Sequence, residues 1–313
     1  MLAFGPIPSR RLGRSLGINN IPSKNCTYSC IYCQLGQTFK KNFERRKFHE
    51  PKEILNAVRN KIIKVEELGE KIDYLTFVPD GEPTLDINLG IEIDLLKDLG
   101  IKIAVITNSS LIWMPKVQKE LAKADLISFK VDSTSESIWH KINRPNGKLM
   151  LTRILEGIID FSKTYDGKLI TETMLIKNVN DAEDSIKEIS NYILKLEPAI
   201  AYLSIPIRPP AEKWVSSPDE ENINRSYQIF SEKIEHVEYL IGYEGNVFAF
   251  TGNVEEDLLS IMSVHPMRKE AIDNFLIKAN VNWSIIEKLL NQNKLAKLSY
   301  QGNEFYIRKF EVK

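Results

Sequence analysis

Short β-branched runs and longer amphipathic segments alternate along this chain from Leu16 onward, and that alternation restricts the fold more than any other feature. Strands are expected at 15–21, 74–78, 102–107, 126–131, 169–176, 201–205 and 238–241. Helices are expected at 51–67, 87–99, 115–124, 149–163, 181–196 and 218–234. Pro51 and Pro115 suit first helical turns, where a missing N–H costs little. Apolar strands separated by helices of ten or more residues build parallel βαβ units. Six such units are too few for a closed eight-fold barrel, which leaves a doubly wound sheet or an open partial barrel.

The tail has a different pattern. Segments 255–263, 267–279 and 283–293 carry apolar residues three and four apart. Two alternating runs follow at 295–300 and 304–310, joined by Gln301-Gly-Asn303. Three short helices and a hairpin outline a small winged-helix-like domain. Two domains are therefore expected, over residues 1–252 and 253–313.

Forty-two Lys and Arg balance 42 Asp and Glu, which excludes a polycation. No apolar run approaches the ~18 residues of a membrane span, and Met1-Leu-Ala-Phe-Gly-Pro6 lacks a signal-peptide pattern. The charge is uneven, however. Residues 1–50 carry nine Lys and Arg against Glu44 and Glu50, whereas residues 254–313 carry nine against eight. Arg10, Arg11 and Arg14 can steer a phosphate-rich substrate such as tRNA. Lys40, Lys41, Arg45, Arg46 and Lys47 read rather as a solvated face or a brace. In the tail, 283–293 has Glu287 and Lys288 as its charges, which argues against sequence-specific DNA binding. Binding a peptide or protein, holding RNA weakly and covering the barrel remain as roles for the tail. His49, His140, His236 and His265 show no metal spacing; His140-Lys-Ile-Asn-Arg144 is a candidate substrate loop.

The cysteine count is three, all between residues 26 and 33. That number cannot build a disulfide framework, and a reducing cytoplasm is the expected home. Cys26-Thr-Tyr-Ser-Cys30-Ile-Tyr-Cys33 has the spacing C-x3-C-x2-C. Three thiolates so close can wrap a compact metal centre: zinc with a fourth ligand such as His49, or an iron–sulfur cluster with one iron open. Zinc cysteines more often come as two separated pairs, which favours the cluster.

C-x3-C-x2-C with Tyr32 before its last cysteine resembles the motif of the radical S-adenosylmethionine (SAM) superfamily. Asp80-Gly81-Glu82-Pro83-Thr84 resembles that family's Gly-Glu-Pro motif, whose backbone binds the SAM amino group. Thr107-Asn108 resembles its Thr-Asn-Gly turn, with Ser109 in place of Gly. Lys130-Val-Asp132 stands where relatives have Ser-x-Asp, and the segment from Glu172 to Asp181 resembles the fifth-strand region of the molybdenum-cofactor cyclase branch. The N-terminal run Gly5 to Gly17, together with Gly81 to Leu85 and Ile142-Asn-Arg-Pro145, resembles a single-cluster subgroup grouped with the tRNA wyosine-base synthase. That synthase carries further cysteines for a second cluster, and none remain here.

The resemblance implies an α/β partial (β/α)6 open barrel and an enzyme that cleaves SAM reductively at a 4Fe–4S cluster to start radical chemistry. Cys26, Cys30 and Cys33 would hold the cluster. Tyr32, Gly81, Glu82, Pro83, Thr107, Asn108, Lys130, Asp132 and Glu172 would surround SAM. A low-potential electron donor is implied as a partner. RNA is the expected substrate class, with a protein or peptide recognised by the tail as the alternative.

Overall fold

The computed structural model describes residues 1–241, 248, 250 and 252–309. Its sheet strands are β1 (Ala3–Ser9), β2 (Gly13–Ile18), β3 (Tyr74–Phe77), β4 (Lys102–Thr107), β5 (Leu126–Lys130), β6 (Lys168–Met174), β7 (Ile200–Ser204) and β8 (Val237–Leu240). They lie in sequence order in one open, curled sheet. β1 and β2 pair antiparallel, and β2 through β8 pair parallel.

The crossovers carry helices α1 (Pro51–Glu67), α2 (Leu89–Lys97), α3 (Pro115–Leu121), α4 (Glu136–Asn143), α5 (Leu151–Ser162), α6 (Glu183–Leu194) and α7 (Glu220–Ser231). Local chemistry explains their limits. Pro51 opens α1, Glu50 and Glu53 form a reciprocal capping box, and Ile54, Val58, Ile62 and Val65 bury one stripe. The result is six strand–helix units and a closing strand: an α/β partial barrel.

Strand alternation sorts side chains onto two faces. Leu75, Phe77, Ile103, Val105, Ile127 and Phe129 join the main core with the helices. Ala104, Leu126, Ile170, Tyr202 and Leu240 fill a separate cluster inside the curl. At the C-terminal ends of β5, β6 and β7 the inner face turns polar, with Lys130, Glu172 and Ser204.

Two elements lie outside the sequence-based expectation. No strand is expected before residue 15, yet β1 is an edge strand with an irregularity between Phe4 and Ile7, where prolines are tolerated. The segment expected as a substrate loop at 140–144 is instead the last turn of α4 and its left-handed cap at Arg144.

The tail comprises α8 (Val254–Val264), β9 (Met267–Arg268), α9 (Lys269–Lys278), α10 (Ser284–Asn291), β10 (Leu295–Tyr300) and β11 (Asn303–Arg308). Its three strands run in the order β10-β11-β9. Met267 and Arg268, expected as helix, extend this sheet by pairing with Tyr306 and Phe305. Phe310, the expected end of the last strand, lies outside the described residues. A second core, including Leu258, Met262, Phe275, Leu289 and Tyr306, belongs to the tail, and Ile7 of β1 packs against it.

Candidate active site

The loop between β2 and α1 holds the cysteines and has almost no regular structure, so other segments must satisfy its backbone. Lys24 N donates to Asp80 O at 2.8 Å, Glu82 N to Asn25 O at 2.9 Å and Asn42 N to Cys26 O at 2.8 Å. The exit of β3 is therefore stitched to the cysteine loop. Gly81 makes this approach possible: a Cβ there would stand 1.9 Å from Asn25 O. Only glycine fits.

Glu82 ties the next strand in. Its Oε1 accepts from Thr84 N, Thr84 Oγ1 and Thr107 Oγ1 at 3.0, 2.6 and 2.6 Å, and its Oε2 accepts from Asn108 N at 2.8 Å. Burial raises its pKa against the opposing pull of these bonds. The carboxyl thus spends its acceptors on fixing the β4 exit. Asn108 reaches across to Thr27 Oγ1 at 2.9 Å and to Cys26 Sγ at 3.5 Å.

These elements enclose a cavity of about 320 Å³ at the C-terminal end of the parallel strands. Cys26, Cys30, Cys33, Tyr32, Gly81, Glu82, Thr107, Asn108, Lys130 and Glu172 all line it. Pro83 and Asp132 stand behind the wall. Pro83 starts a short 3₁₀ turn (Pro83–Leu85) and its carbonyl accepts from Asn20 Nδ2 at 3.3 Å. Asp132 accepts from Tyr32 Oη at 2.5 Å and from Met174 N at 3.0 Å.

A charged network lines the same cavity. Lys130 and Glu172 are register partners on β5 and β6. Glu172 Oε1 accepts from Lys130 Nζ at 2.9 Å and Ser204 Oγ at 3.0 Å, and Oε2 pairs with Arg11. Burial works against the Glu172 charge, but Lys130 and Arg11 outweigh it and hold the carboxyl down to about 2. Burial likewise opposes the Lys130 charge, yet Glu172 and Asp132 keep that ammonium above its ordinary value. Lys130 Nζ also lies 5.0 Å from the Tyr32 ring centroid.

Sequence reasoning missed several lining residues: Lys24, Asp80, Ser204 and Arg208. Asp80 sits beside the Gly-Glu-Pro segment, and its position there was the available signal. Burial raises its carboxyl to about 7, with Lys24 opposing. The basic N-terminal residues have internal tasks. Arg11 closes the Glu172 network, and Arg14 pairs with Glu70. Downstream, Arg45 pairs with Glu120 and donates to the carbonyls of Thr84 and Asp86, while Lys41 donates to Pro145 O. The downstream set includes braces, as its reading allowed. His265 is buried in the tail against Arg208.

A profile of the Radical SAM superfamily matches residues 20–189. The chain belongs to the radical SAM superfamily. It is 51% identical over 309 residues to the UPF0026 protein MJ1312 of Methanocaldococcus jannaschii, covering 98% of this chain and 96% of that protein. A UPF0026 protein of Helicobacter pylori is 36% identical over 224 residues, covering 70% and 71%. Among solved structures, TYW1 with a lysine-pyruvate adduct bound aligns with TM-score 0.56 at 17% identity, covering 71% of this chain and 74% of TYW1. A radical SAM methyltransferase from Sphaerobacter thermophilus aligns equally well, covering 72% and 66%. These likenesses show the fold, and membership gives the cofactors: radical SAM enzymes use a 4Fe–4S cluster and SAM. This cavity suits them: its lining brings together three thiols, Gly81, Glu82 and the cations Arg11, Lys24, Lys130 and Arg208. Burial pushes the Cys26 thiol up to about 12 and raises Cys30 further, so binding a metal centre here must release protons.

Proposed function

We propose that Cys26, Cys30 and Cys33 hold a 4Fe–4S cluster and that the 81–82 backbone, Asn108 and the Lys130–Glu172 network receive SAM. Held there, the cluster and SAM would supply hydrogen-abstracting radical chemistry, started by one electron from a low-potential donor. This chain's residues position and shield that chemistry. Glu82 keeps two strand exits in register, Gly81 lets the cysteine loop close on the β3 exit, and Arg11 and Lys130 balance the Glu172 charge. The gathering of all three cysteines with the 81–82 and 107–108 segments around one cavity carries this reading.

Anaerobically prepared protein should hold about four irons and, under strong reductant, convert SAM slowly to 5′-deoxyadenosine and methionine. Stoichiometric zinc with failed iron loading, or methyl transfer without deoxyadenosine, would overturn it.

The substrate we infer is a macromolecule recognised outside the cavity, with a protein or peptide ahead of RNA. Arg11 and Arg14 are engaged in ion pairs, which weakens the case for a polyanion guide. The tail, which we read as a winged-helix-like accessory domain over residues 253–313, exposes Ile277, Val281 and Leu298. It also touches the loop after β7 that lines the cavity: Tyr300 Oη donates to Pro206 O at 2.9 Å. RNA binding across a salt series separates the two substrates. A steep loss with salt would favour RNA, and a flat response favours the peptide.

A further inference from the structure

We propose that Asn143 is a positioning residue for the metal centre: its side-chain amide donates to the Cys30 sulfur, and Asp132 fixes the direction of that amide. The proposal rests on the reading of the three cysteines as cluster ligands.

Ile142-Asn-Arg-Pro145 has no place in the SAM cavity described above. Arg144, with φ of 46°, ends α4 and turns the chain along the cysteine loop. There Ile31 N donates to Ile142 O at 2.9 Å, Ser29 N to Asn143 O at 3.0 Å and Asn146 N to Thr27 O at 2.9 Å. Asn146 Nδ2 donates to Lys41 O at 2.8 Å, and Lys41 Nζ to Pro145 O at 3.0 Å. The segment grips residues 27–31, the span between the first and last cysteines. From its middle, the buried side chain of Asn143 points back at a sulfur.

The identity of the atom facing that sulfur follows from chemistry. Asn143 Nδ2 lies 2.9 Å from Asp132 Oδ2 and 3.4 Å from Cys30 Sγ. A carboxylate only accepts, so the amide nitrogen must face Asp132, and the second N–H is left for Cys30. Asp132 is itself held by Tyr32 Oη and Met174 N. Asn143 does not line the main cavity, so it acts on the centre through the sulfur. A donor to a thiolate stabilises negative charge there. Such bonds are among the levers that set a cluster's potential, favouring the reduced state.

The test uses full-length protein loaded anaerobically, comparing wild type with Asn143→Ala and Asp132→Asn. Redox titration is followed by electron paramagnetic resonance of the reduced cluster, with no SAM or substrate present. Both variants are expected to keep wild-type iron content and to titrate at a more negative midpoint, with the larger shift in Asn143→Ala. Wild-type midpoints and spectra in both loaded variants would overturn the proposal. So would failure of both to hold iron at an unchanged melting temperature, which would make the pair loop scaffolding. A wild-type protein with no reducible cluster would instead refute the underlying reading, and the wild-type arm alone reveals it.

Discussion

Gly81 and Glu172 show how single residues carry this site. At Gly81 the obstacle to any side chain is backbone, not a flexible neighbour: the carbonyl of Asn25 itself accepts from Glu82 N. Gly81→Ala should therefore part the β3 exit from the cysteine loop. The expected cost is about 2–4 kcal/mol, read as a lower denaturation midpoint, with iron content reduced alongside. Wild-type stability would show that the loop shifts freely. Glu172 makes a prediction about pH. Its carboxyl is held down to about 2, below the ~4.3 of an unfolded chain. A depressed carboxylate stabilises the fold above its unfolded pKa and loses that contribution as pH falls through its folded value. Glu172→Gln should thus cost about 2–3 kcal/mol at pH 7 and converge with wild type between pH 4 and 2. A difference that persists undiminished at pH 2 would point to packing rather than charge.

At the scale of elements, the parallel sheet was legible because its strands, buried on both faces, read as short apolar runs, while the helices between them bury one stripe at period 3.6. The observed α1 and β4 coincide with their expected ranges. The misses have local causes. β1 hides behind its prolines, and α4 behind a short Ser- and His-bearing stretch whose buried face is little more than Trp139 and Ile142. The cysteines, Gly81 and Asn108 were legible as motif. Lys24, Ser204 and Arg208 were not, since a lone residue in a loop or at a strand end has no spacing to betray it. The β1–β2 hairpin offers an element-level check. A Cβ on Gly17 would fall 2.1 Å from the ring of Phe4, which is itself buried. Gly17→Ala should destabilise by about 1–3 kcal/mol. Phe4→Ala should recover part of that loss in the double variant, since contacting residues couple. Additive losses in a double-mutant cycle would show that the ring does not rest on Gly17.

For the whole molecule, the question is whether the tail is a detachable module or part of the barrel's closure. Its own core suggests a module, but its contacts show a different arrangement. α8 packs against β1, the edge strand of the barrel sheet, and Ile7 of that strand contributes to the tail's core. Lys61 of α1 pairs with Asp257 of α8 at 2.9 Å, both largely buried, and Lys278 pairs with Glu70 at 2.5 Å. Arg208 joins Gln34, beside Cys33, to His265 of the tail. An uncovered edge strand with an exposed apolar side chain is a template for intermolecular pairing. A chain ending at Gly252 should therefore aggregate in a concentration-dependent way, and its soluble fraction should hold less iron than full-length protein. Replacing Ile7 with Lys in the shortened chain should restore solubility, because a charge on an edge strand opposes pairing. Light scattering and iron content of the three proteins decide it. A shortened chain that stays monomeric with wild-type iron and SAM cleavage would establish the tail as a separable domain and leave the barrel complete without it.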